Sequence, residues 1–121
     1  MTAKKVLIVD NDQDFLGELR ETLELSGYEM IAVEDSTMAL ETAERVQPDI
    51  ALLDLKMPGK NGFELAYDIN RSTRLRNTTI FAMTGFYQEG YDPLFEVCGI
   101  KKCFKKPFYP LNVIAEFEGV H

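Results

Sequence analysis

Histidine and cysteine are scarce in this chain of 121 residues, and their scarcity removes several kinds of chemistry. The one histidine, His121, is the last residue, which argues against a Ser-His or Cys-His catalytic pair and against a phosphoryl-carrying histidine. Two cysteines, Cys98 and Cys103, are too few for a disulfide framework or a zinc site. We therefore expect two reduced, buried thiols in a cytoplasmic protein.

Long apolar runs and positive charge are also in short supply. The first apolar run covers only residues 6–9 before an acid, so we expect neither a signal peptide nor a membrane span. No G-x-G-x-x-G follows that run, which argues against dinucleotide binding. With 13 Lys and Arg against 20 Asp and Glu, the net charge is −7. Such a surface repels nucleic acid, and its acids are free to converge on a cation.

The remaining sequence alternates short apolar runs with segments of helical spacing, five times in succession. Strands are predicted at 6–9, 30–33, 50–53, 79–83 and 103–104. Helices are predicted over 15–23, 38–43, 63–69, 94–98 and 110–117. Ser36 is expected to cap the second helix, and Asp92 the fourth, with Pro93 at its first position.

This alternation predicts a single α/β domain with a doubly wound parallel sheet. In such sheets the functional site lies beyond the carboxyl ends of the strands. The residues that follow the predicted strands are Asp10, Asn11, Asp12, Asp54, Thr84 and Lys106. Crowded carboxylates favour a hard cation such as Mg²⁺, and a lysine and a hydroxyl can hold phosphoryl oxygens. Asp54 would then be a nucleophile that forms an acyl phosphate.

Several stretches in this order resemble the receiver domains of two-component response regulators. They are VLIVDND at 6–12, ALLDLKMPGKNGFE at 51–64, FAMTG at 81–85 and KKPF at 105–108. The resemblance covers essentially the whole chain. It implies one flavodoxin-like (βα)5 receiver domain over residues 1–121, with five parallel strands in the order 2-1-3-4-5.

The resemblance also implies a signalling switch rather than a turnover enzyme, although such a domain contributes to its own phosphorylation and dephosphorylation. Asp54 resembles the phosphoacceptor, which takes its phosphoryl group from a sensor histidine kinase or a phosphotransfer protein. Thr84 and Lys106 resemble the hydroxyl and the ammonium that contact the phosphoryl group. In most of the family the bond that corresponds to Lys106–Pro107 is cis.

The implied Mg²⁺ site departs from the family pattern at one position. Asp10, Asn11, Asp54 and the carbonyl of Lys56 stand where the family holds its metal. The family usually has a second acid at the position of Asn11. An amide oxygen can still bind Mg²⁺ but brings no charge, so we predict a weaker metal affinity than in a receiver with both acids.

A second departure concerns the family's switch residue. Cys103 stands where the family usually has an aromatic ring, and we expect its side chain to fill the core. Coupling from Thr84 to the output face could then run through Phe86, Tyr87 or Phe95. That face comprises the fourth helix, the fifth strand and the fifth helix. Through it the domain would contact an output domain, a downstream protein or a second copy, with Tyr87, Tyr91, Phe95 and Tyr109 as candidate anchors or as packing residues.

Two other functions remain open from the sequence. Asn11 and Cys103 are compatible with a receiver-like binding module that takes no phosphate. Asp10 and Asp12 also resemble the nucleophile and the acid/base of haloacid-dehalogenase-type phosphatases, but no suitable acidic pair follows Lys106. We expect Asp12 to cap the following helix instead.

Overall fold

The computed structural model describes residues 3–120, so His121 lies outside the described residues. Each of the five strands is followed by a helix. The strands are β1 (Lys5–Val9), β2 (Glu29–Val33), β3 (Ile50–Asp54), β4 (Thr79–Thr84) and β5 (Ile100–Lys105). The helices are α1 (Gln13–Leu25), α2 (Ala39–Val46), α3 (Gly62–Arg71), α4 (Tyr91–Cys98) and α5 (Pro110–Phe117). Short 3-10 helices, Ser36–Met38 and Thr73–Leu75, precede α2 and β4.

The strands form one parallel sheet in the order β2-β1-β3-β4-β5, which confirms the predicted fold. Alternate residues of the buried strands supply two separate cores. Val6 and Ile8 of β1 pack with α1 and α5, whereas Leu7 and Val9 pack with α2, α3 and α4. With both faces covered, β1 and β3 read as continuous apolar runs in the sequence.

Two predicted helix caps are wrong. Ser36 does not cap; the carboxylate of Asp35 accepts the backbone N–H of Thr37 at 3.0 Å, and the Ser36 hydroxyl donates to the Pro58 carbonyl at 3.2 Å. Asp92 also lies inside α4, which begins at Tyr91 after Gly90, a residue with a φ of 91°. At Ser36 the error arises because a neighbouring carboxylate can also cap, and the contact with distant Pro58 decides between them. Helix α4 begins after Gly90 with no side-chain cap.

Strand β5 is longer than the predicted 103–104 because its lysines obscure the apolar pattern. Lys101 and Lys102 are exposed on this edge strand, where charged side chains protect an unpaired sheet edge. Of the two free thiols, Cys98 is buried as predicted, but Cys103 is only half-buried against the core. Within residues 3–120, no helix is long and apolar enough to cross a membrane.

Candidate functional site

Two carboxylates lie at the carboxyl ends of the central strands. Asp54 is the last residue of β3, and Asp10 directly follows β1, the neighbouring strand. The side chain of Asp10 is 1% exposed and that of Asp54 is 11% exposed. Asp54 is therefore the more accessible of the two carboxylates.

Backbone groups hold one oxygen of each carboxylate. The N–H of Asp12 donates to Oδ1 of Asp10 at 2.9 Å, and the N–H of Lys56 donates to Oδ1 of Asp54 at 3.0 Å. The second oxygen of each carboxylate, Oδ2, faces the ammonium of Lys106. The Nζ atom lies 2.5 Å from Oδ2 of Asp10 and 3.4 Å from Oδ2 of Asp54. These contacts bring together three residues that are far apart in the sequence.

Lys106 is oriented by the chain that carries it. Its backbone N–H donates to the Thr84 carbonyl at 2.8 Å, so the turn after β5 is fixed to the end of β4. The following Lys106–Pro107 bond is cis, as the family resemblance implied. The ammonium also lies 4.4 Å from the centroid of the Phe15 ring on α1, within the range of a cation–π contact.

Thr84 ends β4 beside this group and is fully buried. Its hydroxyl oxygen accepts the N–H of Phe86 at 3.2 Å and lies 3.3 Å from the Phe86 carbonyl, to which it donates. The hydroxyl is thus engaged by the loop that leads to α4. A new acceptor at the site would compete with the loop for this hydroxyl.

The electrostatics of the site leave it short of positive charge. Two carboxylates and one ammonium sum to a net charge of −1. Burial raises the pKa of Asp54, opposed by the hydrogen bond from the Lys56 N–H and by the Lys106 charge, and the nearby Asp10 carboxylate raises it further. A cation or a protonated Asp54 would relieve the remaining repulsion.

The residues that the resemblance assigned to Mg²⁺ offer the oxygen donors that this cation prefers. They are two carboxylates, the amide of Asn11, which is exposed, and the backbone carbonyl of Lys56. Among residues 3–120, no group of three or more His, Cys, Asp or Glu side chains could hold a metal. The residues fit a cation that takes few protein ligands and retains water, because the third side chain is an amide.

Asp12 has a different task from its acidic neighbour. Its carboxylate accepts the N–H groups of Asp14 and Phe15, at 3.1 and 3.2 Å, and thereby caps α1 as predicted. In the phosphatase interpretation Asp12 would exchange protons with substrate. An oxygen that accepts two backbone hydrogen bonds favours the capping role instead.

The loops that follow Asp54 and Thr84 approach each other at Lys56 and Phe86. The ammonium of Lys56 lies 5.4 Å from the centroid of the Phe86 ring, which is 64% exposed. Beyond them, Tyr87, Tyr91 and Phe95 form a cluster of ring contacts with Phe63 of α3. These three rings are partly packed, whereas Tyr109 is 78% exposed.

Sequence patterns missed two residues that shape the site. Phe15 begins the predicted helix over 15–23 as an apolar residue at helical spacing, and nothing in that spacing indicated the contact with Lys106. Gly62 begins α3 against the backbone of β3, where a Cβ atom would lie 2.4 Å from the Asp54 carbonyl oxygen. The G-x-x-G spacing of Gly59 and Gly62 after Asp54 was the available signal for a close approach.

Comparisons with known proteins identify the family of this chain. The sequence model of the response regulator receiver domain matches residues 6–118, so the chain belongs to the response regulator receiver family of two-component signalling proteins. Members of this family act as signalling switches.

Two curated relatives show the range of proteins that contain such a domain. The polar-differentiation response regulator DivK of Brucella anthropi is 29% identical over 104 residues, covering 86% of this chain and 85% of DivK. The alkaline phosphatase synthesis transcriptional regulatory protein PhoP of Bacillus subtilis is 30% identical over 117 residues. That match covers 97% of this chain but only 48% of PhoP.

Solved structures give the same fold. The chemotaxis protein CheY4 of Vibrio cholerae superposes with a TM-score of 0.91 at 25% identity, covering 98% of this chain and 99% of CheY4. A CheY-like receiver domain protein from Methanospirillum hungatei has a TM-score of 0.89 at 24% identity. That match covers 96% of this chain and 91% of the other chain. The second likeness concerns the fold alone.

Proposed function

We propose that this receiver accepts a phosphoryl group on Asp54 in a Mg²⁺-dependent reaction and thereby switches its contacts with a partner. The observation that carries the proposal is the junction of Asp54, Asp10 and Lys106 at one sheet edge, with Oδ2 of Asp54 facing the ammonium at 3.4 Å. Asp54 is the more exposed carboxylate, so it is the better placed nucleophile.

The donor would be a phosphohistidine of a sensor histidine kinase or a phosphotransfer protein. Oδ2 of Asp54 forms a bond to phosphorus while the bond from phosphorus to the imidazole nitrogen breaks. That nitrogen keeps the electron pair and takes up a proton from solvent. Hydrolysis by water later regenerates the Asp54 carboxylate and releases inorganic phosphate, so the signal is temporary.

Negative charge accumulates during the transfer, and the chain supplies two groups to balance it. As negative charge develops on the phosphoryl oxygens, the Lys106 ammonium moves its contact from the Asp54 carboxylate to those oxygens. The Thr84 hydroxyl exchanges its contact with Phe86 for a phosphoryl oxygen. Asp10, Asn11, Asp54 and the Lys56 carbonyl would hold Mg²⁺, which when bound neutralises the phosphoryl oxygens.

Movement of Thr84 would transmit the signal. Loss of its two hydrogen bonds to Phe86 releases the loop before α4, so the population of that segment shifts when Asp54 is phosphorylated. The α4, β5 and α5 face is then the surface for an output domain, a downstream protein or a second copy. We place this activity in the cytoplasm, and the net charge of −7 does not favour nucleic acid as a direct partner.

Acetyl phosphate in the presence of Mg²⁺, read by intact mass, tests the proposal. The wild type and Asp12→Asn should gain one phosphoryl group, because Asn retains the helix cap, whereas Asp54→Asn should gain none. Chelation of Mg²⁺ should prevent labelling. A folded wild type that stays unlabelled would support the binding module, and labelling of Asp54→Asn on Asp10 would support the phosphatase.

A further inference from the structure

Two carboxylates and one aromatic ring contact the ammonium of Lys106 within the described part of the chain. Besides Asp10 and Asp54, it lies 4.4 Å from the centroid of the Phe15 ring. Of the five cation–ring contacts between described residues, this is the shortest. The side chain of Lys106 is 22% exposed, so its charge is partly removed from water, where a cation–π contact is stronger.

One backbone contact and one ring contact fix the position of Phe15. Its backbone N–H is bound by the capping carboxylate of Asp12 at 3.2 Å, which fixes the first turn of α1. Its ring meets the ring of Phe108 at 5.7 Å and an interplanar angle of 84°. Phe108 lies two residues after Lys106, so this ring contact joins α1 to the segment that carries the lysine.

A cavity of about 340 Å³ lies beside these residues and offers space for an alternative position of the Lys106 side chain. It is lined by Phe15, Lys106 and Phe108, together with Asp12 and Glu18. A flexible ammonium could turn into this space toward the two acids. The ring opposes that movement, and because it accepts no conventional hydrogen bond, it leaves the donors of the ammonium free for oxygen atoms.

We propose that Phe15 is a positioning residue for phosphoryl transfer, whose ring holds the Lys106 ammonium over the Asp10–Asp54 carboxylate pair. This inference rests on the proposed function, since the held ammonium is the group that balances the transferred charge. A fixed charge stabilises a transition state more than one that must be reoriented during the reaction. Phe15 itself touches neither the phosphoryl group nor Asp54 in this role.

Fluorinated phenylalanines at position 15 separate this role from packing. Mono-, di- and trifluorinated rings retain the approximate shape of Phe15, and each added fluorine makes the electrostatic potential of the ring face less negative. We expect the rate of phosphorylation by acetyl phosphate to fall in that order, by about 2- to 10-fold at the trifluorinated ring, and similarly in Phe15→Leu. The Tm should not follow the series.

Ligand binding gives a second readout, independent of the reaction rate. A loosened ammonium competes less with a metal for the carboxylates, so Mg²⁺ affinity should stay equal or rise along the series. Affinity for beryllofluoride, a phosphoryl mimic that needs the ammonium, should fall. A merely structural role would lower both affinities together.

The same fluorinated series at Phe117 of α5 is the matched control, because among residues 3–120 this buried ring contacts the rings of Tyr28 and Phe81 but no cation and not Phe15. Its phosphorylation rates should stay constant. Constant rates at position 15, or rates that follow the Tm, would overturn the inference while the proposed function stands. An unlabelled wild type would overturn both.

Discussion

Gly62 begins α3 directly against the strand that carries Asp54, and its replacement by alanine would disturb that junction. A Cβ atom at this position would lie 2.4 Å from the Asp54 carbonyl oxygen and 2.8 Å from the Leu55 Cα. Both neighbours are backbone atoms, so no side-chain rotation can relieve the contact. Either β3 or the start of α3 must move.

The size of the effect follows from two opposing contributions. Alanine favours a helix over glycine by at most about 1 kcal/mol. Overpacking of a close-packed interior costs roughly 1–3 kcal/mol and occasionally more. Because the contact is with backbone, we take the upper half of that range and expect Gly62→Ala to lower the free energy of unfolding by about 1–2 kcal/mol. At this chain length the Tm should fall by roughly 3–8 °C.

Thermal unfolding followed by circular dichroism measures this, with Gly17→Ala as the matched control. Gly17 is exposed within α1, and its added Cβ meets no atom within 4 Å, so this variant should be up to about 1 kcal/mol more stable than wild type. Below its lower Tm, Gly62→Ala should also accept the phosphoryl group more slowly because the Asp54 backbone has shifted. Equal rises in Tm for both variants would refute the steric argument.

Three further predictions concern charge and water at the site. Because burial raises the pKa of Asp54 above its ordinary value of 3.8, its ionisation costs stability as the pH rises through the folded-state pKa. Asp54→Asn should therefore have a higher Tm than the wild type at pH 7 without metal. The difference in Tm should vanish toward pH 3.8, and a difference that grows in acid would contradict this prediction. Phe86 lies two residues after Thr84 and contacts Lys56, so we expect its ring to screen a phosphoryl group on Asp54 from water. Phe86→Ala should then shorten the half-life of the aspartyl phosphate, and an unchanged half-life would show that the ring does not screen it. Asn11→Asp should tighten Mg²⁺ binding at least about fivefold, since a unit charge at ~4 Å contributes at least ~1 kcal/mol. A calorimetric titration that gives equal affinities, or a wild-type Kd well below a millimolar, would show that the lost charge has no consequence.

The backbone frame of the site was predictable from sequence because parallel strands leave little choice. A buried strand reads as an apolar run, and the residue after it must emerge at the carboxyl edge of the sheet. Asp10 and Asp54 follow from this rule alone. Lys106 does not follow from this rule, because β5 was predicted to end at residue 104 and ends at Lys105; the family resemblance distinguished Lys106 from Lys105.

The contacts that decide side-chain roles could not be predicted in the same way. Ser36 and Asp92 are good capping residues, but one is taken by the Pro58 carbonyl and the other by the hydroxyl of Tyr87. The periodicity of α1 shows that Phe15 faces inward, not that an ammonium lies against its ring. The contacts of Ser36 and Phe15 join segments far apart in sequence, and a local pattern contains no record of such a partner.

The charge balance bears on how the proposed Mg²⁺ site would function with an amide at position 11. Lys106 lies 2.5 Å from Asp10, so the ammonium already compensates the more deeply buried carboxylate, and a metal must compete with it. In the proposed reaction, an arriving phosphoryl group would change this balance, because it would draw the ammonium toward its own oxygens and add negative charge. Mg²⁺ affinity and phosphoryl binding would then be coupled, and each would strengthen the other by the same factor. A metal site that is weak before phosphorylation is therefore compatible with efficient phosphoryl transfer. This requires that the Lys106 ammonium can move from Asp10 to the phosphoryl oxygens without leaving the site.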